Sequence, residues 1–468
     1  MSYNTTYKMY LEAIRMLVKV IAENFKSFDK QVELTMISSS KIRKSNEQRV
    51  EIKRVNLLKS AVIYGANASG KSNLIEVLRF MKYCVTRSMP LEAKQMYCRN
   101  KEENIGKESI FEIQITKNNK FYAYGFSAIL NQRKITGEWA YELLPGGKAQ
   151  KLFEREVDKA PVLGDDFKIS VNDRNKFQIY AEDMSSNLNT LFLTEMNRNK
   201  KIPDKSKLSF FKYIYEWFSE DLVIYSPNTP ITNFEYYYDS DSLEKVNKLI
   251  EVFDTGISNV HIKKISIEDL SSKLPKEIYT DIIEDVKKKL MDEKGETTKI
   301  SMRSDKEFFN FDLNNDQELE ITTITFRHGN AMSDFTFNEE SDGTRRLFDL
   351  MDMILKVDNN DTVYVIDELE RSLHPKLTYQ FIDLFKKINM ESTVQLIFTT
   401  HEPSIMDQEL FRRDEIWFVE RDAENSSVLY SLDKFKERYD KKLSKAYLEG
   451  RYGAIPIFKA FHFEKEVD

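Results

Sequence analysis

Residues 65–72 combine two glycines, a lysine and a serine at fixed spacing. They read Gly-Ala-Asn-Ala-Ser-Gly-Lys-Ser and satisfy the pattern G-x-x-x-x-G-K-[ST]. The glycines let backbone N–H groups turn toward phosphate oxygens, Lys71 can reach the β- and γ-phosphates, and the Ser72 hydroxyl can bind Mg²⁺. The pattern predicts a nucleotide site formed by Gly65, Ala66, Asn67, Ala68, Ser69, Gly70, Lys71, Ser72 and Asn73.

Two adjacent carboxylates end an apolar stretch far downstream. Asp367 and Glu368 follow the segment Val-Tyr-Val-Ile. Asp367 can hold Mg²⁺ through water, and Glu368 can orient and deprotonate the attacking water, because phosphoryl transfer depends on positioning and charge stabilisation. An Asp-Glu pair can also be a solvated start of a loop. With the phosphate loop present, the catalytic interpretation is favoured.

His401 is a third candidate for catalysis, beside Lys71 and Glu368. It ends the apolar stretch VQLIFTT. A histidine there can contact the γ-phosphate or the attacking water, although a lone histidine is usually structural. His261, His328 and His462 have no comparable setting. The long separation between Lys71 and Asp367 argues against a compact kinase or small GTPase.

A second short motif, Glu-Ser-Asp-Gly-Thr-Arg-Arg at residues 340–346, opens a predicted helix. Ser341 and Gly343 could form a second anion-binding nest at the start of that helix. The alternative is an ordinary N-cap, in which Ser341 or Asp342 accepts hydrogen bonds from the first backbone N–H groups. The residues alone favour neither interpretation.

Regular elements are predicted on both sides of these motifs. Residues 58–64 indicate a buried strand and 72–85 a helix, so a strand, a glycine-rich turn and a helix follow in order. Downstream, DTVYVIDE predicts a strand, PKLTYQFIDLFKKI a helix and STVQLIFTTHE a strand, which together form a parallel βαβ unit. The fold class is therefore α/β.

The remaining segments predict further elements. Residues 16–37 indicate a hairpin, 109–130 two strands around an Asn-Asn turn, 207–226 a helix followed by a strand, and 276–294 an amphipathic helix. We expect a nucleotide core that is split between the two chain ends, with a lobe inserted between them.

The composition bounds the class of protein. The chain has 468 residues, 41% hydrophobic and 12% aromatic, as in globular proteins. No apolar run is long enough to span a bilayer, no secretory signal is visible, and Cys84 and Cys98 form no disulfide framework, so we expect a cytoplasmic protein without a membrane partner. The net charge of −6 argues against a nucleic-acid coat, but basic segments at 41–59 and 198–205 could still contact nucleic acid. Solvated surface is the favoured interpretation of both segments.

Together the motifs resemble those of the ABC-type ATPases, and among them the SMC/RecF/OLD-like AAA ATPases. GANASGKSN is similar to their Walker A motif, VYVIDE to Walker B, ESDGTRR to a divergent signature motif, ERSLHP to the D-loop and His401 to the switch histidine. A closer resemblance is to ATP-binding proteins of bacterial abortive-infection and phage-defence islands. That resemblance is carried by ENFKSF, GANASGKSNL, ESDGTRRL, DELERSLHP, FTTHEP and YLEGRYGAIP.

The resemblance implies an ABC-type P-loop ATPase head, a mixed sheet with a parallel core and flanking helices, and a large α+β lobe inserted between Walker A and the signature motif. ATP and Mg²⁺ would be its cofactors, with Ser72 and Asp367 at the metal. Two chains would pair head to tail, so that Ser341, Gly343 and Thr344 contact the nucleotide of the partner. Candidates for the glutamine loop of the family are Gln114 and residues 187–197. The expected parts are an N-terminal extension (1–15), a Walker A part of the core (16–90), the inserted lobe (91–335), the rest of the core (336–430) and a C-terminal tail (431–468).

The resemblance also implies a function. We expect an ATPase subunit of an anti-phage system that regulates a separate effector, with a Toprim-type nuclease as one candidate, because too few residues follow His401 for a nuclease domain. The alternative is a RecF/SMC-like ATPase that clamps DNA in repair or recombination. A transporter motor is disfavoured by the divergent signature motif and the large insertion. The C-terminal tail could dock a partner or pack on the core, and packing is favoured.

Overall fold

The computed structural model describes residues 14–42, 45–182, 184, 187–227, 240–273, 300–303, 308–313, 318–355, 361–436 and 442–456. The chain divides into two compact units. The first comprises Met1–Pro227, Asn359–Leu369 and Asn389–Asp468, and the second comprises Asn228–Asp358 and Glu370–Ile388. The amphipathic helix predicted at 276–294 lies outside the described residues.

The strands are numbered in chain order. They are β1 Leu17–Glu23, β2 Val32–Thr35, β3 Arg49–Ile52, β4 Val55–Leu58, β5 Ser60–Tyr64, β6 Ser109–Lys117, β7 Lys120–Ile129, β8 Lys134–Leu144, β9 Lys148–Glu156, β10 Val162–Leu163, β11 Leu222–Tyr225, β12 Ile257–Ile265, β13 Ile300–Arg303, β14 Phe308–Leu313, β15 Leu319–His328, β16 Phe335–Thr336, β17 Val363–Ile366, β18 Gln395–Thr399, β19 Ile416–Arg421 and β20 Ser427–Ser431.

The α-helices are numbered in the same way. They are α1 Lys71–Thr86, α2 Val171–Glu182, α3 Phe192–Asn197, α4 Ser209–Glu216, α5 Ser240–Val252, α6 Ile267–Lys273, α7 Asp342–Leu355, α8 Pro375–Ile388 and α9 Leu443–Leu448. One π-helical turn, Trp217–Asp221, connects α4 to β11. The helix and strand predicted within 207–226 are therefore both present.

The first unit contains a seven-stranded antiparallel sheet in the order β10-β9-β8-β7-β6-β1-β2. The β1–β2 pair is the hairpin predicted over residues 16–37. Strands β6 and β7 turn at Asn118 and Asn119, whose φ values are 51° and 57°. Asparagine accepts this left-handed backbone, which a two-residue hairpin turn requires. The predicted Asn-Asn hairpin is confirmed.

A six-stranded sheet in the same unit has the order β11-β17-β18-β5-β19-β20. Its neighbours are parallel except for the antiparallel β19–β20 pair. Strands β5, β17 and β18 are buried along their whole length, as expected for parallel strands covered on both faces. Because parallel strands end at one edge of the sheet, the residues that follow these three strands meet there. The predicted α/β fold with a parallel core is confirmed.

One hydrophobic cluster joins both sheets of the first unit to helix α1. The ring of Phe80 from α1 packs 5.0 Å from Phe111 on β6, and Phe111 packs 5.1 Å from Phe126 on β7. Leu74, Ile75 and further α1 side chains belong to the same cluster. The first turn of α1, which follows the glycine-rich loop, is therefore anchored in the core.

The second unit is built on an antiparallel sheet in the order β12-β15-β14-β13, with β16 beside β15. Helix α5 is tied to β12 because the Asn247 side chain bonds both the N–H and the C=O of Val260, at 2.7 and 3.3 Å. Helix α7 is tied to β15 by an edge-to-face contact between Phe348 and Phe326, 4.9 Å apart. The motif at residues 340–346 therefore begins a helix that is anchored on this sheet.

The structure divides the chain differently from the predicted parts. Strand β6 pairs with β1, so residues 109–163 extend the N-terminal sheet instead of belonging to an inserted lobe. The second unit begins only after Pro227, and it includes the motif at 340–346. Ile14 is buried and the Arg15 guanidinium donates to Asp221 at 2.8 Å, so both belong to the first unit and not to an extension. Long-range strand pairing, which local patterns do not reveal, accounts for these differences.

The described part of the C-terminal tail packs on the first unit. The rings of Tyr447 and Tyr452 each lie 5.7 Å from Phe418 on β19. The Ala454 N–H donates to Glu420 at 2.9 Å, and the Tyr430 hydroxyl donates to the Tyr452 carbonyl at 2.7 Å. Packing on the core is therefore observed for residues 442–456.

Candidate nucleotide-binding site

The glycine-rich loop connects β5 to α1, and both of its glycines are sterically required. A Cβ on Gly65 would lie 2.3 Å from the carbonyl oxygen of Val419. Gly70 has φ +113°, and a Cβ there would lie 2.3 Å from the Ser427 hydroxyl. Any other residue would push the loop away from β19 and β20. The loop conformation thus depends on the two glycines that the sequence pattern specifies.

Hydrogen bonds of two serine hydroxyl groups hold the loop in place. The Ser27 and Ser427 hydroxyl oxygens lie 2.7 Å apart, and the Asn73 side-chain amide donates to Ser27 at 2.7 Å. The Ser427 hydroxyl also bonds to the backbone carbonyl of Ser69. These bonds link the β1–β2 hairpin and β20 to the loop, so the loop backbone is held before any ligand binds.

Lys71 is buried in the loop that precedes it. Its ammonium donates to the carbonyls of Gly65 and Ala66 at 2.8 and 3.0 Å and lies 3.3 Å from His401 Nδ1. The Ser69 hydroxyl is also buried, and no described residue accepts or donates a hydrogen bond to it. A buried ammonium and a free hydroxyl donor in one glycine-rich loop fit an anionic ligand such as a polyphosphate.

Ser72 and Asp367 form the oxygen side of the site. The Ser72 hydroxyl donates to Oδ1 of Asp367, which directly follows β17, at 3.2 Å. Asp367 is 8% exposed, and its Oδ1 also accepts a bond from the Thr399 hydroxyl at 2.6 Å. Hydroxyl and carboxylate oxygens are the ligands that Mg²⁺ prefers, so this pair fits the predicted metal-binding role.

Glu368 follows Asp367 and points to the same side as His401. Its Oε1 lies 3.9 Å from His401 Nε2, and the two side chains are 37% and 36% exposed. Glu368 has φ +51°, a left-handed backbone that is uncommon for a residue with a side chain. Such strained positions concentrate at functional sites, where surrounding bonds hold them. The carboxylate is therefore accessible to water and held in place by its backbone.

The setting of His401 favours its neutral form. Burial and then the Lys71 charge lower the pKa of His401, while Glu368 and Asp367 raise it less, so the net direction is down. An ammonium can only donate, so the Nδ1 that faces Lys71 carries no proton and the N–H of neutral His401 is at Nε2, toward Glu368. His401 thus joins the phosphate loop to the candidate base.

The motif at 340–346 lies in the second unit. Ser341 Oγ accepts the Thr344 N–H at 3.1 Å and lies 2.9 Å from the buried Thr344 hydroxyl, so Ser341 caps α7. A Cβ on Gly343 would lie 2.7 Å from the carbonyl of Ser372, which requires glycine there. The N-cap alternative is therefore present in this chain. Contact of Ser341, Gly343 and Thr344 with the nucleotide of a partner stays a prediction.

A comparison with protein families gives a match over residues 60–407 to the family described as "AAA domain, putative AbiEii toxin, Type IV TA system". The match covers well over half of the chain and includes the candidate site from Gly65 to His401. The chain belongs to this AAA-domain family.

Solved structures similar to this AAA-domain chain include SMC head domains. One, from Thermotoga maritima, has 14% sequence identity and a TM-score of 0.37, with 89% of this chain and 98% of that chain covered. A second, an SmcHead bound to the C-winged helix domain of ScpA, has 13% identity and a TM-score of 0.39, covering 89% and 97%. A third, from Pyrococcus furiosus and bound to the C-terminal domain of ScpA, has 15% identity and a TM-score of 0.35, covering 94% and 100%. A comparison with curated proteins gave no match.

Motif patterns did not identify three residues that support the site: Ser27, Thr399 and Ser427. Each is a common hydroxyl residue without diagnostic spacing, although Ser27 lies in the ENFKSF segment and Thr399 only two residues before His401. The glutamine-loop candidate Gln114 lies on β6 and donates to Glu112 at 3.1 Å. Within the described part of the chain, no helix is both long and apolar enough to cross a membrane.

Proposed function

We propose that this AAA-domain protein binds and hydrolyses ATP with Mg²⁺. The observation that carries the proposal is the convergence of one cation, one hydroxyl, two carboxylates and one imidazole at the sheet edge. These groups are Lys71, Ser72, Asp367, Glu368 and His401, and their neighbouring polar atoms lie 3.2 to 3.9 Å apart. The loop glycines and the unpaired Ser69 hydroxyl add a cradle for phosphate oxygens.

Each residue has a distinct role in the proposed reaction. Lys71 and the loop N–H groups bind the β- and γ-phosphates, and Ser72 and Asp367 hold Mg²⁺, which neutralises phosphate charge when bound. Glu368 orients the attacking water and accepts its proton. His401 donates from Nε2 toward Glu368 or the γ-phosphate, because Lys71 occupies the Nδ1 side. ADP and phosphate are the products.

We further propose that two chains pair head to tail around ATP, with Ser341 and Gly343 completing the site of the partner. The family description reads "putative AbiEii toxin, Type IV TA system", and we propose a role in anti-phage defence. In this proposal the ATPase regulates a separate effector, with a Toprim-type nuclease as the first candidate, and acts in the cytoplasm.

The Glu368→Gln variant tests these proposals. It retains every group that binds ATP and Mg²⁺ but lacks the base, so hydrolysis should fall by about 10²- to 10⁴-fold while ATP binding persists. Native mass spectrometry of the variant, purified from its host in ATP, should show two chains, two nucleotides and the effector in fixed ratio. Lys71→Ala is the matched control and should bind no ATP. Wild-type hydrolysis in Glu368→Gln would contradict the assignment of the base.

A DNA clamp is the second candidate, and the β3–β4 hairpin is the observation that favours it. Lys53 and Arg54 form its exposed tip, with left-handed φ values of 47° and 71°, and neither makes an ion pair with another described residue. Two exposed cations at the tip of a hairpin suit contact with phosphate backbones. Recovery of Glu368→Gln with nucleic acid and without a second protein would favour this function over effector control.

A further inference from the structure

Thr399 ends strand β18 and contacts the turn that carries both carboxylates. Its side chain is completely buried. Its hydroxyl oxygen accepts the Glu368 N–H at 2.8 Å and lies 2.6 Å from Asp367 Oδ1, and its carbonyl accepts the Leu369 N–H at 3.2 Å. Since the Glu368 N–H must donate, the single hydroxyl proton of Thr399 is available to Asp367. One residue therefore bonds three consecutive residues with consistent donor and acceptor roles.

These bonds fall where the backbone is strained. Glu368 has φ +51°, a left-handed backbone conformation that is unfavourable for a residue with a Cβ. On the other side of β17, the Asp367 N–H donates to the Tyr225 carbonyl of β11 at 3.0 Å. The turn is thus fixed by both neighbouring strands, and the β18 side bonds the strained Glu368.

The left-handed turn separates two roles that belong to adjacent residues. Asp367 lies 3.2 Å from Ser72 on the metal-binding side, whereas Glu368 lies near His401. An extended backbone at Glu368 would carry its side chain away from this position. The Thr399 hydroxyl holds the turn and also orients the Asp367 carboxylate, while the same strand end leads to His401.

We infer that Thr399 is a positioning residue for hydrolysis, which sets the direction of Glu368 and the orientation of Asp367 through its hydroxyl. The inference rests on the proposed ATPase function. Thr399 contacts neither the nucleotide nor the attacking water in this assignment. Its loss should therefore reduce the rate of hydrolysis far more than the affinity for ATP.

Thr399→Val and Thr399→Ser test the inference in the full-length protein. Valine keeps the branched shape but lacks the hydroxyl that accepts the Glu368 N–H, so kcat should fall by about 10- to 100-fold, as for a small misplacement of catalytic groups. The Kd for ATP should change by less than about three-fold, and the Mg²⁺ concentration for half-maximal activity should rise. Serine keeps the hydroxyl and should restore kcat to within about three-fold of wild type.

Thr393→Val is the matched control. The Thr393 hydroxyl bonds Asp361 at 2.5 Å across the opposite ends of β17 and β18, away from the site. Its removal deletes the same type of Thr–Asp bond and should lower the melting temperature without changing kcat. Wild-type kcat in Thr399→Val, or equal loss in Thr399→Ser and Thr399→Val, would overturn the inference while hydrolysis by the wild type stands. A wild-type protein that hydrolyses no ATP would overturn the ATPase proposal and this inference together.

Discussion

At the scale of single residues, His401 connects Lys71 to Glu368 and faces charges with opposing effects. Burial and Lys71 lower its pKa from the ordinary 6.5, and the two carboxylates offset only part of that change. Because the folded state resists protonation of His401, the unfolded state binds more protons below about pH 6.5. The contribution of His401 to stability is therefore complete above that pH and decreases as the pH falls.

The pKa of His401 gives a testable prediction at the residue scale. In the nucleotide-free protein, the His401 imidazole should titrate below 6.5, and Lys71→Met should raise its pKa because a repelling charge is removed. NMR titration can follow it directly, since the chain has only five histidines and His401→Gln identifies the resonance. The Lys59→Met variant removes a lysine at the opposite end of β5, where its ammonium donates to the Met390 carbonyl, and serves as the control. An unchanged His401 pKa in Lys71→Met would contradict the observed contact.

Single residues also show what the sequence could predict about the site. Motif spacing predicted Lys71, Ser72, Asp367, Glu368 and His401, and the structure brings these five together. Motif spacing could not predict the hydroxyl groups that support the site, because serine and threonine occur throughout the chain and their partners lie on other strands. His328, which had no functional setting in the sequence, bonds Glu340 at 2.7 Å directly before the cap of α7. That contact arises from the fold of the second unit and has no local signal.

At the scale of elements, the phosphate loop depends on how closely it approaches β20. Gly70→Ala combines a strained φ of +113° with a contact of 2.3 Å to Ser427, so we expect a loss of stability greater than about 1 kcal/mol. The displaced loop should also bind ATP at least about ten-fold more weakly, or 1.4 kcal/mol. Thermal unfolding and nucleotide titration measure the two effects.

Gly146→Ala is a control that distinguishes the effect of backbone strain from the effect of a steric clash with β20. Gly146 has φ +79° in the β8–β9 turn, with no atom within 4 Å of the added Cβ. This variant should lose about 1 kcal/mol of stability and keep its ATP affinity. Equal ATP affinities in Gly70→Ala and Gly146→Ala would show that the loop tolerates displacement.

Elements with strong local patterns were predictable. The β1–β2 and β6–β7 hairpins, helix α1 and the parallel β17–β18 pair follow from periodicity and turn residues. The neighbours with which these elements pair were not predictable. For example, β1 pairs with β6 across a long stretch of chain that contains the whole phosphate loop. Periodicity shows that a residue belongs to a strand, but it does not identify the neighbouring strand.

At the scale of the whole molecule, the head-to-tail proposal requires that one site uses residues from two chains. Lys71→Ala lacks a working phosphate loop, and Ser341→Arg would obstruct the site of its partner, so each variant alone should be inactive. Mixed in equal amounts, they should recover roughly a quarter of wild-type hydrolysis, since half of the random pairs are mixed and each has one intact site. ATP turnover before and after mixing measures this recovery. The control is a mixture of the Lys71→Ala chain with a second chain that carries both Glu368→Gln and Ser341→Arg. This mixture should stay inactive, because its one site with an intact phosphate loop lacks the base.

Because the first unit is formed by three separate chain segments, the parts of its site are synthesised at different times. A ribosome releases the phosphate loop early, together with β1 and β6, which pair with each other in the folded chain. The strand that carries Asp367 and Glu368 emerges much later, and its partner β18 follows only after the whole of α8. A nascent chain therefore carries the glycine-rich loop before it carries Glu368, the proposed base. In the proposed ATPase, the set of site residues is incomplete until His401 has been translated, so a shorter nascent chain should not hydrolyse ATP.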